Sequence, residues 1–195
     1  MRLNRGFTLI ESVVAIIVLA IAMLTITTML VPSVQRSAAP QYQVRAAALA
    51  ETLFTQILSR SFDKASDPEG GFYRCGEDWG DSEDHSCSTY IEFGPVDVTV
   101  SPTEYKAVDE YGFQSGAWVI YTLSQTTNTA LARNLNELIS DSDTYKNFEV
   151  KIRVSPYLDD EADDDFEEQV VKRIDIEITA SSYGPYTFHA YKGNY

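Results

Sequence analysis

The chain enters a long apolar segment with the residues Arg5-Gly6-Phe7-Thr8-Leu9-Ile10-Glu11 and stays apolar as far as Val31. Between Phe7 and Val31 the only charged side chain is that of Glu11. About 25 residues that rise roughly 1.5 Å each are enough for one helix to cross the ~30 Å hydrocarbon core of a membrane. The sequence therefore predicts a membrane-spanning helix that carries one carboxylate.

Glu11 is costly in this segment, because an acidic side chain near the middle of a membrane costs about 2.5–3.5 kcal/mol on insertion scales. Such residues usually pair with another polar or charged group. The sequence contains no Lys or Arg between Gly6 and Gln35, so the same apolar helix cannot supply a cation. We therefore expect the cation to come from another molecule, which indicates a chain that assembles.

The segment Gly6-Phe7-Thr8-Leu9-Ile10-Glu11 resembles the N-terminus shared by type IV pilins and the pseudopilins of type II secretion systems. In that family a prepilin peptidase cuts after the Gly and methylates the new N-terminal Phe, and the fifth mature residue is Glu. The resemblance implies cleavage between Gly6 and Phe7, N-methylation of Phe7, and a role for Phe7 and Glu11 in subunit assembly. The implied partners are the prepilin peptidase, the inner-membrane assembly platform, the major pilin and other minor pilins.

The charges around the segment agree with this interpretation. Cleavage would leave an ammonium group on Phe7, which can pair with Glu11 of a neighbouring subunit where helices pack away from water. Arg2 and Arg5 would keep the leader in the cytoplasm by the positive-inside rule. We therefore expect a single-pass inner-membrane protein with a periplasmic head that later enters a fibre at the cell surface.

An ordinary signal anchor or secretory signal peptide is the alternative interpretation of the first 31 residues. A signal peptide has an apolar region of about 7–15 residues, which is shorter than this segment. A plain anchor explains the hydrophobicity, but it explains neither Glu11 nor the junction between Gly6 and Phe7.

The family resemblance implies an α+β fold of the type IV pilin kind, in which a long N-terminal helix packs on an antiparallel sheet with a disulfide loop. We expect a leader at 1–6, a transmembrane or fibre-core helix at 7–31, an amphipathic continuation at 32–66 and a globular head at 67–195. The continuation carries an apolar stripe at helical spacing, formed by Leu49, Leu53, Phe54, Ile57 and Leu58. Pro32 and Pro40 are expected to kink or locally melt the helix.

Alternating apolar residues predict strands in the head. The segments 148–155, 169–179 and 186–191 predict a three-stranded meander, with a turn at 181–185. Shorter strands are predicted at 90–93, 96–100 and 117–123, and a short helix at 130–139.

Composition excludes some classes of function. The formal net charge is −14, which disfavours binding to nucleic acid. Aromatic residues make up 12% of the chain, which argues against disorder despite the acidity. The two histidines, His85 and His189, lie outside any recognisable catalytic motif, so we expect a protein that is not an enzyme and needs no cofactor.

Cys75 and Cys87 are the only cysteines. In an oxidising periplasm they are expected to form one disulfide that closes a surface loop. A zinc site made of Cys75, Cys87 and His85 is the alternative, but it lacks a fourth ligand and a short Cys-x-x-Cys pair.

Two acidic runs, one between the two cysteines and one at 159–168, suggest a calcium site. Dense carboxylates are the ligands that Ca²⁺ prefers. The calcium candidates are Asp159, Glu161 and Asp163, between two predicted strands. An EF-hand alignment that starts at Asp159 fails, since it places Asp164 where Gly is required. The alternative is a solvated hairpin loop whose like charges hinder aggregation.

Residues 35–46 and 186–195 resemble the minor pilins of the mannose-sensitive haemagglutinin (MSHA) pilus, which implies a subunit that initiates or caps a fibre used for surface attachment. A minor pseudopilin of a type II secretion system is one alternative. A membrane-anchored module that binds a glycan or a surface is another, because four tyrosines near the C-terminus could stack on sugars; they are Tyr183, Tyr186, Tyr191 and Tyr195. The competing interpretation is that alternate tyrosines fill the sheet core.

Overall fold

One long helix, α1, begins at Leu9 and ends at Leu58 in the computed structural model. The structure describes residues 8–67, 73–78, 80, 85–125, 128–139, 142–157 and 171–194. The chain divides into two units, one that ends at Tyr42 and one that begins at Gln43, the head. The backbone remains helical through Pro32 and Pro40, so the predicted local melting is wrong. Each proline removes one hydrogen bond, and neighbours such as Ala39 favour the helix.

The helix ends at Leu58, short of the predicted end at residue 66, because its last carbonyls find other partners. The backbone N–H of Arg60 donates to the carbonyl of Ile57 over 3.1 Å, which tightens the last turn. The ammonium group of Lys192, from the C-terminal strand, donates to the carbonyl of Leu58 over 3.1 Å. A cation at this end also interacts favourably with the helix dipole.

The part of α1 that belongs to the head buries one stripe of apolar side chains. Leu49, Leu53 and Ile57 are fully buried, as the spacing predicts, and Ala46 and Ala50 join them. Phe54 and Leu58, the other predicted members of the stripe, are only half-buried. The small side chains of the two alanines allow close packing along this stripe.

The head contains a five-stranded sheet in the order β2-β1-β3-β4-β5. Its strands are β1 Val119–Thr122, β2 Ala132–Asn134, β3 Phe148–Pro156, β4 Val171–Ala180 and β5 Tyr183–Gly193. β1 and β2 pair in parallel, whereas β1, β3, β4 and β5 form antiparallel pairs. The predicted C-terminal meander is therefore confirmed, and β1 confirms the strand predicted at 117–123.

The alternation along β3 and β4 creates one apolar face. Val150 lies opposite Ile178, and Ile152 lies opposite Ile176. All four side chains are fully buried. This face and the buried stripe of α1 supply the apolar core of the head. The alternation along the strands and the helical spacing along α1 therefore both identify residues of the same core.

Side-chain hydrogen bonds replace the strands that were predicted before β1. Residues Tyr90–Glu92 form a 3-10 helix, because the carboxylate of Glu92 accepts from both the backbone N–H and the hydroxyl of Thr89. At 96–100 the carboxylate of Asp97 accepts from the backbone N–H and hydroxyl of Thr99, both over 2.8 Å. These local bonds satisfy the backbone in a turn and compete with a ladder.

The helix predicted at 130–139 is wrong as well. Its first half is the strand β2, which pairs with β1 through Ile120 and Ala132. Its second half is a 3-10 helix, Leu135–Glu137, whose first turn is capped by the side chain of Asn134. The helix prediction rested on Leu131, Leu135 and Leu138; Leu135 and Leu138 are buried, whereas Leu131 is exposed.

The disulfide between Cys75 and Cys87 is present, with 4.8 Å between the two Cα atoms, which confirms that pairing. Cys75 is buried, and its backbone N–H donates to the hydroxyl of Ser66 over 3.2 Å. The side-chain amide of Asn194 donates to the carbonyl of Cys75 over 3.1 Å. The disulfide loop is therefore attached both to the segment after α1 and to the end of β5.

Replacing Leu53 by Ala is expected to lower the free energy of unfolding of the head by about 2–5 kcal/mol, because it leaves a cavity in a fully buried site. The measurement is urea denaturation of the full chain in detergent, followed by tryptophan fluorescence. Val44→Ala is the matched control on the same helix, since Val44 is exposed and its loss should change stability by less than about 0.5 kcal/mol. Equal effects from the two substitutions would contradict the assigned burial.

Replacing both Cys75 and Cys87 by Ser is expected to lower the free energy of unfolding by about 3 kcal/mol, since the cross-link no longer restricts the unfolded chain. The same urea titration measures this loss. A reducing agent should destabilise the wild-type chain by a similar amount and leave the double variant unchanged. A wild-type midpoint that does not respond to reductant would contradict a stabilising disulfide.

Candidate functional site

The first candidate site is the N-terminal part of α1, where Glu11 lies in the first turn of the helix. The backbone N–H groups of Glu11 and Ser12 donate to the carbonyl of Thr8 over 3.1 and 3.2 Å. The hydroxyl of Thr8 also accepts from the N–H of Glu11 over 3.4 Å. A carboxylate in the first turn is favoured by the helix dipole, so the local structure holds Glu11 in a helical position.

The segment Leu9–Leu30 is long and apolar enough to cross a membrane by length and composition. It is wholly exposed in the isolated chain. Its hydroxyl groups each donate to a carbonyl one turn earlier over 2.7–2.9 Å, as seen for Ser12, Thr25, Thr27 and Thr28. These hydroxyls can therefore enter an apolar environment without an outside partner.

Glu11 differs from these hydroxyl residues. Within the described part of the chain, the ion pairs all lie in the head. The carboxylate of Glu11 is thus the one charged group of an exposed apolar helix, and burial of this helix would require an external cation. Gly6 and Phe7, for which cleavage, methylation and assembly are predicted, lie outside the described residues.

The second candidate site is a buried charge cluster in the head, which consists of Asp63, Asp109 and Lys172. Lys172 occupies an inward position of β4, and its side chain is fully buried. Its ammonium group donates to Oδ2 of Asp63 over 2.7 Å and to the carbonyl of Phe62 over 2.9 Å. The rings of Phe62 and Phe93 lie 4.3 and 4.8 Å from Nζ, measured to the ring centroids.

The carboxylate of Asp63 is fully buried and surrounded by donors. Oδ1 accepts from the N–H of Ala65 and the hydroxyl of Ser88, and Oδ2 accepts from the N–H of Ser88 and from Lys172, all within 3.0 Å. Burial alone would raise the pKa of Asp63, but the charge of Lys172 and these hydrogen bonds outweigh burial and lower that pKa. The resting state is therefore a carboxylate paired with an ammonium.

At Asp109 the effect of burial on the pKa outweighs the effect of the nearby positive charges. It lies in the 3-10 helix Val108–Tyr111 and is fully buried. Neither of its carboxyl oxygens has a hydrogen-bond partner among the described residues, and its nearest ion-pair partner is Lys64, at 3.7 Å. Burial and the charge of Asp63 raise the pKa of Asp109 to about 6, although Lys172 and Lys64 oppose the increase. Asp109 can therefore gain and release a proton near neutral pH.

Sequence reasoning did not identify this cluster. A signal for Lys172 exists in the alternation of β4, since it continues the inward series of Ile174, Ile176 and Ile178 by two residues. No comparable pattern marks Asp63 or Asp109, which lie in irregular segments. Their association depends on contacts between residues more than a hundred positions apart, such as that between Asp63 and Lys172.

The remaining predicted site residues have different outcomes. The zinc alternative is wrong, because both cysteines are in the disulfide. Among the described residues no group of three His, Cys, Asp or Glu side chains could hold a metal ion. The calcium candidates Asp159, Glu161 and Asp163 lie outside the described residues.

The C-terminal tyrosines that the structure describes do not fill the sheet core. Tyr183 and Tyr186 are half-buried, and Tyr191 is exposed, while Tyr195 lies outside the described residues. Tyr191 instead contacts the ring of Tyr157 edge to face, with 5.0 Å between ring centroids. The buried tyrosines of the core are Tyr105, Tyr111 and Tyr121.

Comparison with known proteins identifies the N-terminal segment. Residues 1–27 match the family model described as the prokaryotic N-terminal methylation motif. No curated protein and no solved structure matches the chain significantly. The matched residues include the predicted cleavage junction, Glu11 and most of the exposed apolar helix. The chain thus carries a type IV prepilin-like N-terminus, and behind it an α+β head of the type IV pilin-like architecture.

Proposed function

We propose that this protein is a minor pilin of an MSHA-type type IV pilus. A prepilin peptidase cleaves it after Gly6 and methylates Phe7, and the subunit then joins other pilins through α1 to initiate or cap a fibre used for surface attachment. Before assembly it resides in the inner membrane with its head in the periplasm. Its role is structural, with no catalysis, cofactor or nucleic acid involved.

The observation that carries this proposal is the position of Glu11 within the matched motif. Glu11 is the one charge of an exposed apolar helix whose hydroxyl groups are already satisfied. Cleavage before Phe7 creates an ammonium group close to this helix end, and methylation preserves its charge. Two subunits packed side by side can then pair the ammonium of one with the carboxylate of the other.

The head suits a subunit that leaves the membrane. The outer face of its sheet carries ion pairs, in which Lys151 contacts Glu177 over 2.7 Å and Arg153 contacts Asp175 over 2.8 Å. Arg173 reaches the second oxygen of Asp175 over 2.8 Å. Charges of both signs on this face favour its exposure to water. The disulfide supports a location in an oxidising compartment.

The MSHA assignment rests on the resemblance of residues 35–46 and 186–195 to the minor pilin MshD. A minor pseudopilin shares the N-terminal motif, the helix and the sheet, so the two candidates differ in where the assembled protein is found. Among type IV pilins, a subunit at the distal tip can lack the Glu at the fifth mature position, because no subunit lies above it. The presence of Glu11 therefore supports a position with a neighbour on the distal side.

Intact mass spectrometry of sheared extracellular filaments and of the cell envelope tests the proposal. We expect a species that starts at methylated Phe7, present in filaments at a low ratio to a major pilin. Processed protein confined to the envelope would contradict the pilus assignment and favour a pseudopilin. An unprocessed chain that starts at Met1 would contradict both.

Replacing Glu11 by Ala is expected to reduce incorporation into filaments by about tenfold or more, because removing one partner of a buried ion pair costs about 3–5 kcal/mol. The amount in the inner membrane should not fall, since the substitution removes an insertion cost. Immunoblots of filament and membrane fractions measure the two quantities. Glu51→Ala is the matched control, because Glu51 is exposed on the head part of α1. Normal incorporation of Glu11→Ala would contradict a paired Glu11.

A further inference from the structure

The buried charge cluster brings a lysine, an aspartate and a second carboxyl group together from three separate parts of the head. Lys172 comes from β4, Asp63 follows α1, and Asp109 lies in a 3-10 helix. We propose that Lys172 and Asp63 react to form an intramolecular isopeptide bond, and that Asp109 relays the proton this reaction requires.

The reacting groups are in contact and shielded from water. Nζ of Lys172 lies 2.7 Å from Oδ2 of Asp63, and both side chains are fully buried. The rings of Phe62 and Phe93 flank the amine at 4.3 and 4.8 Å. Holding two groups in contact turns an otherwise bimolecular condensation into an effectively unimolecular step. Exclusion of water favours the amide over its hydrolysis.

The step is a condensation that needs no added reagent. The ammonium of Lys172 first passes a proton to the carboxylate of Asp63, which leaves a neutral amine and a carboxylic acid. The nitrogen lone pair then attacks Cγ of Asp63, and the C–N bond forms. The nitrogen loses a second proton, the C–O bond to the former hydroxyl breaks, and that hydroxyl leaves with the proton as water. One positive and one negative charge disappear together.

The donors around Asp63 support this step. The N–H groups of Ala65 and Ser88 and the hydroxyl of Ser88 point at its two oxygens. They fix the carboxyl group in place and can stabilise the negative charge that develops on oxygen during attack. In the resting ion pair the same donors hold the carboxylate, so they oppose proton transfer within the pair. A single reaction per molecule can be slow and still reach completion during maturation.

Asp109 supplies a proton carrier, which the pair of Lys172 and Asp63 lacks. The second proton must move from nitrogen to the departing oxygen, and a buried carboxyl group whose oxygens have no hydrogen-bond partner among the described residues can carry it. Asp109 is fully buried, has no hydrogen-bond partner for either oxygen among the described residues, and interacts electrostatically with both Lys172 and Asp63. An unsatisfied buried carboxyl group calls for an explanation, and proton relay is a chemical one.

The product also removes an energetic problem. A buried ion pair gains little stability, because both charges lose their hydration. An amide is neutral, and its oxygen can keep the donors that now serve the carboxylate. The bond would join the segment after α1 covalently to β4, across a sequence separation of 109 residues. Pulling forces on α1 would then reach the sheet through covalent bonds.

Intact mass spectrometry of the full chain, purified in detergent with its disulfide reduced and alkylated, tests the proposal. We expect each form of the chain, processed or not, to be lighter by the mass of one water than its sequence with two alkylated cysteines and, in the processed form, one N-terminal methyl group. Proteolysis and tandem mass spectrometry should then yield a branched peptide that joins residues 63 and 172. A wild-type chain at its full sequence mass, with separate peptides for these residues, would overturn the proposal, and so would a water loss located elsewhere.

Two substitutions separate the roles. Lys172→Arg keeps the charge but cannot condense in this way, so it should show the full mass. Asp109→Asn should also show the full mass while the ion pair remains. Asp97→Asn is the matched control, because Asp97 lies in an exposed turn and its replacement should leave the bond intact. A branched peptide in Asp109→Asn would overturn the relay role. Should that variant fail to fold, the wild-type branched peptide alone decides whether the bond exists.

Discussion

A charge that is removed from water needs an opposite charge or a dense set of hydrogen bonds, and this constraint acts in both units of the chain. In the head it is met within the molecule, where Lys172 and Asp63 pair between two aromatic rings. In the N-terminal helix it is not met within the described residues, because Glu11 lies among exposed apolar side chains. The buried charges of the head are therefore neutralised within the head itself. The apolar helix requires a membrane or other subunits.

The difference between the two units follows from the apolar surface that each can bury within the chain. The stripe of Leu49, Leu53 and Ile57 is matched by the inward residues of β3 and β4, and all are fully buried. Residues Leu9–Leu30 are apolar and wholly exposed. The division of the chain after Tyr42 falls within α1, between an exposed apolar part and a part that contributes to the core of the head.

The sequence alone predicted those parts of the fold that depend on periodicity. The alternation in β3 and β4 and the helical spacing after residue 45 identified the core, because burial repeats with the geometry of each element. Prediction failed where local polar side chains decide the structure, as with Glu92 and Thr89, or Asp97 and Thr99. It failed for the same reason at Asn134, where a side-chain cap starts a 3-10 helix. At the candidate sites, Glu11 and the disulfide were identifiable from the sequence, while the association of Asp63 with Lys172 depends on contacts that no local pattern encodes.

The contact between Lys192 and the end of α1 has a consequence for the order of events during synthesis. Lys192 lies 134 residues after Leu58, whose carbonyl it reaches, and β4, an interior strand of the sheet, also lies near the C-terminus. The buried stripe of α1 therefore has no complete partner until the last strands have emerged from the ribosome. Non-local contacts of this kind form late and slowly. Because the apolar helix precedes these strands in the chain, it is available for insertion into a membrane before the head acquires its final structure.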